Sequence, residues 1–270
     1  MKLQFTNSYR PRFDQISRIL QYLLTQEGQK KIPQQEIVAN LGIPKNQVEN
    51  LISMMVGFGL VQPRVTKLTE FGKEIIQADP YFEKIESLWI IHYIVSSNPE
   101  WVVWYRIVND VIPGLDQYTV EKTSNQYFSD LATQFSEKTI ADKLPKEVAV
   151  VYFSYAHSEL ARLNILQQES PAHYVRSNPV EIPSLAFLFC ILFYRDRHSP
   201  GSSAMNVEDI CLGENSPGRV LNLPEYQVRQ LLDDLHGNGL IRLEKFANLD
   251  QIRLSDTTTQ QIVLTKIYKG

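Results

Sequence analysis

Asn46, Glu49, Asn50 and Ser53 follow one another at the i, i+3, i+4, i+7 spacing that lines up side chains along one face of a helix. Val48, Leu51, Ile52 and Met55 form the apolar stripe opposite, so the spacing predicts that the polar set faces outward. Lys45 stands at the helix start, where its stem lies along the surface and its charge reaches out. Asparagine pairs bidentately with adenine, and lysine or arginine reaches guanine or phosphate, so this face carries the chemistry of duplex DNA recognition. Arg64 and Lys67 follow on a predicted hairpin. Lys30 and Lys31 precede a predicted short helix whose N-terminus also favours phosphate. The expected DNA-binding set is therefore Lys30, Lys31, Lys45, Asn46, Asn50, Ser53, Arg64 and Lys67, with Glu49 opposing the phosphates from within it.

A second group, Asp79, Glu83, Glu86, His92, Asp110 and His157, would be the raw material of an active site. Glu83 and Glu86 are i, i+3 neighbours, but His92 follows Glu86 by six positions, which does not set two ligands side by side. There is no HExxH or CxxC spacing and no nucleophile–histidine arrangement, and the SPGR turn at 216–219 lacks the glycines and lysine of a phosphate loop. His92 lies among Leu88, Trp89, Ile90, Ile91, Tyr93 and Ile94, the surroundings of a hydrogen-bonded core histidine. Trp101, Trp104 and Tyr105 have rings that stack on bases in single-strand binders, but their helical spacing favours the core. Asp79 before Pro80 reads as a helix cap with Pro80 at the first helical position. No catalytic residue, metal ligand or cofactor is expected.

The elements that position these residues are announced by a repeat. Residues 41–61 read LGIPKNQVENLISMMVGFGLV, and residues 221–241, 180 positions on, read LNLPEYQVRQLLDDLHGNGLI. Leu41/Leu221, Pro44/Pro224, Gln47/Gln227, Val48/Val228, Leu51/Leu231, Gly57/Gly237, Gly59/Gly239 and Leu60/Leu240 are identical. Each copy encodes a helix opened by proline, a Gly-x-Gly stop and a strand, as in the third helix and first wing strand of a winged helix-turn-helix. In the first copy helices are predicted at 13–26, 34–41 and from Pro44, strands at 60–62 and 65–68 around Pro63-Arg64, and a helix capped by Thr69 to about Gln77. In the second, helices at 183–197 and 207–212, a loop at 213–219 and the Pro224 helix lead to a hairpin of 240–246 and 251–254 turning at 247–250, with Ser255 capping a last helix. Between them helices are predicted at 81–95, 99–112, 119–135 and 146–166. The fold class is mainly α with small β-wings: a winged helix at 1–78, a helical middle at 79–180 and a winged helix at 181–270.

Charge follows the same division. Residues 1–75 carry 10 basic and 6 acidic side chains, a net of +4, although the 270-residue chain as a whole is at −3. The front part is thus suited to face a polyanion. The second copy shows Glu225, Tyr226, Arg229, Gln230, Asp233 and Asp234 outward, with Arg242, Lys245 and Arg253 on its wing, and suits protein contact or dimerisation better than DNA. Cys190 and Cys211 form no close pair, and Cys190 lies in an apolar helix where it is inert. MKLQFTNSYR lacks an apolar signal core, and the longest apolar run, 185–194, is too short for a bilayer, so a cytoplasmic protein without membrane contact is expected.

The block DPYFEKIESLWIIHYIVSSNPE at 79–100, with Leu68–Glu74 before it and Trp104-Tyr105 and Asn109 after it, resembles the bacterial family known as domain of unknown function 4007. Ser216–Glu225, SPGRVLNLPE, is similar to that family's C-terminal segment, while FTNSYRPR at 5–12 departs from its usual His-Glu-Thr-Phe-like opening. The family has no established catalytic chemistry, and its genes recur beside those of DNA phosphorothioation and phage-defence islands. The resemblance implies a DNA-modification accessory role.

The expectation is a DNA-associated, non-catalytic accessory or regulatory protein that holds duplex DNA with its first winged helix and binds protein partners of a modification or defence complex, or a second copy in a homodimer, with the rest. A protein-interaction scaffold without DNA binding, a transcriptional regulator, and an enzyme with a cleft in the 79–169 block are the rival readings.

Overall fold

The computed structural model describes residues 1–246, 249–255 and 257–270. The chain forms two compact units, Met1–Val180 and Glu181–Gly270. Residues 1–78 and 79–180 lie together in the first. Among the described residues no helix is long and apolar enough to cross a membrane.

The first unit opens with α1 (Phe13–Thr25), α2 (Gln34–Leu41), α3 (Lys45–Gly57) and α4 (Glu70–Ala78). Phe13, Ile16, Ile19, Leu20 and Leu23 bury the apolar stripe of α1, and Thr69 caps α4 by accepting from the Gly72 amide. The hairpin predicted behind α3 is reduced to a single bridge, Val61 to Leu68. Pro63 lacks a donor, and Arg64 (φ 71°) and Thr66 (φ 53°) are left-handed, so the segment cannot extend into a ladder.

The rest of the unit packs around α5 (Ile85–Ser96) and α9 (Glu137–His157). Helix α5 starts later than predicted. Asp79 is not its cap and Pro80 is not its first residue: Lys84 stands at the cap position, and the Asp79 carboxylate instead accepts from the Glu83 and Lys84 amides at 2.6 and 3.2 Å within a turn at 80–84, where Phe82 has φ 56°. The predicted helix at 99–112 is α6 (Val102–Arg106), a π-helical turn (Ile107–Val111) and α7 (Ile112–Gly114). The one predicted at 119–135 divides into β1 (Gln117–Thr119), α8 (Val120–Tyr127) and a 3-10 turn (Ser129–Thr133). Pro145 lies inside α9 rather than ahead of it. That helix ends at His157 because Ser158 turns the chain into a 3-10 turn (Glu159–Leu163). Strands β2 (Leu166–Ser170) and β3 (His173–Arg176) follow, and β1, β3 and β2 make a small antiparallel sheet, with Tyr118 opposite Tyr174.

The second unit contains α10 (Ser184–His198), β4 (Ala204–Asn206), α11 (Val207–Leu212), α12 (Pro217–Val220), α13 (Glu225–Gly237), β5 (Arg242–Phe246), β6 (Leu249–Arg253) and α14 (Gln260–Lys269). The apolar α10 is buried against α13 and α14. The antiparallel sheet has the order β4-β6-β5. The predicted turn at 247–250 falls partly on Ala247 and Asn248, which lie outside the described residues. Ser255 is not the cap of α14: Thr259 is, accepting from the Ile262 amide.

The sequence repeat is a repeat of backbone geometry. Helices α3 and α13 are each 13 residues long and begin after Pro44 and Pro224. Gly42 and Asn222 before them are both left-handed, at φ 65° and 53°. Each helix ends through the same bonds: Phe58 N to Met54 O and Asn238 N to Asp234 O, then Leu60 N to Met55 O and Leu240 N to Leu235 O. Gly59 (φ 75°) and Gly239 (φ 68°) supply the left-handed residue that such an ending needs.

Candidate nucleic-acid interface

The outward face predicted for α3 is largely occupied. Asn50 is buried, and its Oδ1 accepts from Asn7 Nδ2 at 2.7 Å. Ser53 is half-buried and donates through Oγ to the Phe5 carbonyl at 3.1 Å. The Phe5 ring lies so close to Gly57 that a Cβ there would meet it at 2.2 Å. Phe5 is itself core, with its ring 4.4 Å from Trp101 between centroids. Lys45, Asn46 and Glu49 remain exposed at the start of the helix, and Lys45 Nζ stands 3.8 Å from Glu49 Oε1.

What holds residues 5–8 over α3 is Glu147 of α9, a residue the DNA-face reasoning did not single out. Its Oε2 accepts from Thr6 N (3.0 Å), Thr6 Oγ1 (2.9 Å) and Phe5 N (3.3 Å), and its Oε1 accepts from Ser8 N (2.8 Å). The left-handed backbone at Asn7 (φ 50°) and Ser8 (φ 65°) curls the amides into a concave anion cradle. Burial pushes the Glu147 pKa up, against the four donors that favour its charged form. The signal in the sequence was an acid at a core position of a helix, in line with Leu144 and Val151.

The remaining cations converge at one edge. Ile32 N donates to Val65 O at 3.3 Å, and Gln62 N donates to Lys67 O at 2.7 Å. These bonds lay the segment carrying Lys30 and Lys31 beside the turn carrying Arg64 and Lys67. Lys30, Lys31 and Arg64 are exposed and Lys67 half-exposed. Among the described residues no carboxylate pairs with any of the four; the nearby Glu27 and Glu70 are taken up by Lys73, at 2.5 and 3.4 Å.

The second copy is the reverse case. The face of α13 is open, with Tyr226, Gln230, Asp233 and Asp234 exposed. Its cations, however, are engaged. Arg229 bonds to Glu225 (2.8 Å) and Asp250 (2.7 Å), Arg253 to Glu244 (2.9 Å), and Lys245 stands 3.8 Å from Asp233. The Arg253 guanidinium, aided by Gln251, holds the Glu244 carboxyl down at about 2.

His92 is a core side chain, its Nδ1 2.6 Å from Tyr155 OH, which also accepts from Trp104 Nε1 at 2.9 Å. Trp101 and Trp104 are buried too. Among the described residues no group of three or more His, Cys, Asp or Glu converges as a metal-ligand set would.

Fold and site together define a mainly helical protein built on a duplicated helix–glycine-stop module, with an unneutralised cationic edge on the first copy. The chain belongs to the family described as protein of unknown function DUF4007, whose profile matches residues 7–268. It is similar in fold to two solved structures, described as "Magnesium ion-bound SspB crystal structure" and "SspB crystal structure". The TM-scores are 0.77 and 0.74, at 14% identity, over 98% of this chain and 87% of each of those. No curated protein matches the chain significantly.

Proposed function

We propose that the chain is a DNA-associated, non-catalytic accessory or regulatory protein of a bacterial DNA-modification system of the phosphorothioation type, or of a phage-defence system. It holds duplex DNA at the Lys30, Lys31, Arg64 and Lys67 edge. Both copies of the repeat act as winged helices. In the second, the order α10, β4, α11–α12, α13, β5–β6 and the pairing of β4 with β6 support that reading. In the first, the bond from Ile32 to Val65 stands where β4 meets β6, and the 61–68 turn is a rudimentary wing.

The observation that carries DNA binding is the convergence of four cations with no acid partner. Phosphate contacts supply most of the affinity of such complexes, and that affinity needs cations that are not already neutralised. Lys45 and Asn46, exposed in the first turn of α3, are secondary contacts; Asn50 and Ser53 leave the set. The magnesium named for the structural neighbour belongs to that protein and is not carried over to this chain at 14% identity. Fluorescence anisotropy with a labelled duplex at low salt tests the proposal. The K31E/R64E variant should bind at least tenfold more weakly than the parent; equal binding would overturn it.

The second winged helix is assigned to protein contact, with a partner of a modification complex or a second copy. Its cations are paired internally, and Tyr226, Phe246 and Leu249 are exposed at 62%, 71% and 51%.

A further inference from the structure

We infer that the first winged helix grips the duplex by its backbone and reads no base sequence, a conclusion that rests on the DNA-binding proposal above. The major groove is about 12 Å wide and a bare helix with its side chains about 10–12 Å across, so a reading helix fits with little to spare. Helix α3 is not bare. Residues 5–7 run along the polar face that would enter the groove, bonded to Asn50 and Ser53. This covering is part of the fold rather than a loose flap: Phe5 and Thr6 are buried, and four hydrogen bonds to Glu147 fix the segment. Helix and covering segment together exceed the groove, and the residues best placed one turn further on for adenine are sealed. Only the first turn of α3 stays open, where Lys45 is drawn toward Glu49 and the glutamate repels phosphate.

The cations of the edge lie off α3, on the segment before α2 and on the turn after α3. Lysine and arginine there meet phosphodiester oxygens, which are the same in every sequence. The ligand class is therefore the sugar–phosphate backbone of duplex DNA, irrespective of base order. A good bidentate base contact discriminates by roughly tenfold to a hundredfold, so its presence or absence is easily read.

Repeated selection of a randomised duplex pool on the full-length protein tests this, with anisotropy on one A·T-rich and one G·C-rich duplex of equal length. No motif should enrich, and the two duplexes should bind within about threefold of each other. N46A and K45A should weaken both by the same factor. An enriched motif, or a preference above tenfold that N46A abolishes, would overturn sequence-independent binding while leaving DNA binding in place. Failure of the folded protein to retain any of the pool at low salt would overturn the DNA-binding proposal itself.

Discussion

Glu147 occupies a core position of α9 and satisfies four donors of the N-terminal segment with one carboxylate. Glutamine keeps a single acceptor oxygen and turns an NH₂ group toward amides that need acceptors. E147Q should therefore cost about 1–3 kcal/mol, read as a lower midpoint in urea denaturation. An unchanged midpoint would show that the cradle contributes nothing. Glu244 offers the opposite test, on an exposed pair. Its folded value of about 2 lies below the ordinary 4.5, so the Arg253 contact contributes fully above about pH 4.5 and is lost as pH falls through 2. A carboxyl-carbon NMR titration should place the Glu244 midpoint near 2, and R253Q should return it toward the ordinary value. At this scale the spacing identified which side chains of the α3 region point away from its own apolar stripe. Lys45, Asn46 and Arg64 are exposed as expected. Asn50 and Ser53 are covered by residues 43 and 48 positions away, and periodicity within one helix carries no information about such a neighbour.

At the element scale one difference between the two copies of the module lies at the glycine in the last turn of each helix. Gly57 faces the Phe5 ring, whereas a Cβ at Gly237 would meet nothing within 4 Å. Neither glycine needs left-handed backbone; that role falls to Gly59 and Gly239. G57A should destabilise the first unit by about 1–3 kcal/mol through overpacking. G237A should be neutral or stabilise by up to about 1 kcal/mol, since alanine is the better helix former. Calorimetry of both variants checks the pair; equal effects would mean that Phe5 does not press on α3. Helices with a clear apolar stripe and a proline or glycine boundary were legible, and α2 and α11 match their predicted spans residue for residue. The β1-β3-β2 sheet was not, because LQQES and HYVR are too short and too irregular in polarity to show a strand period. The break at Ser158 was hidden because Leu160 and Leu163 are buried beyond it, continuing an apolar pattern on a backbone that has already turned.

For the whole molecule, the sign of the net charge hides how the charges are distributed between the two copies. The chain is acidic overall, yet Asp250 and Glu244 of the second hairpin engage Arg229 of α13 and Arg253 of β6, while among the described residues no carboxylate pairs with the cations at 30–31 and 64–67. A duplex titrated across a range of salt concentrations tests most directly whether these cations hold DNA. Four phosphate contacts predict a slope of log K against log salt of about −3.6, a loss of roughly a hundredfold between 50 and 200 mM, and a slope shallower by about 1 for each cation reversed among Lys30, Lys31, Arg64 and Lys67. A slope near zero, or the same slope in the parent and in K31E/R64E, would contradict the account.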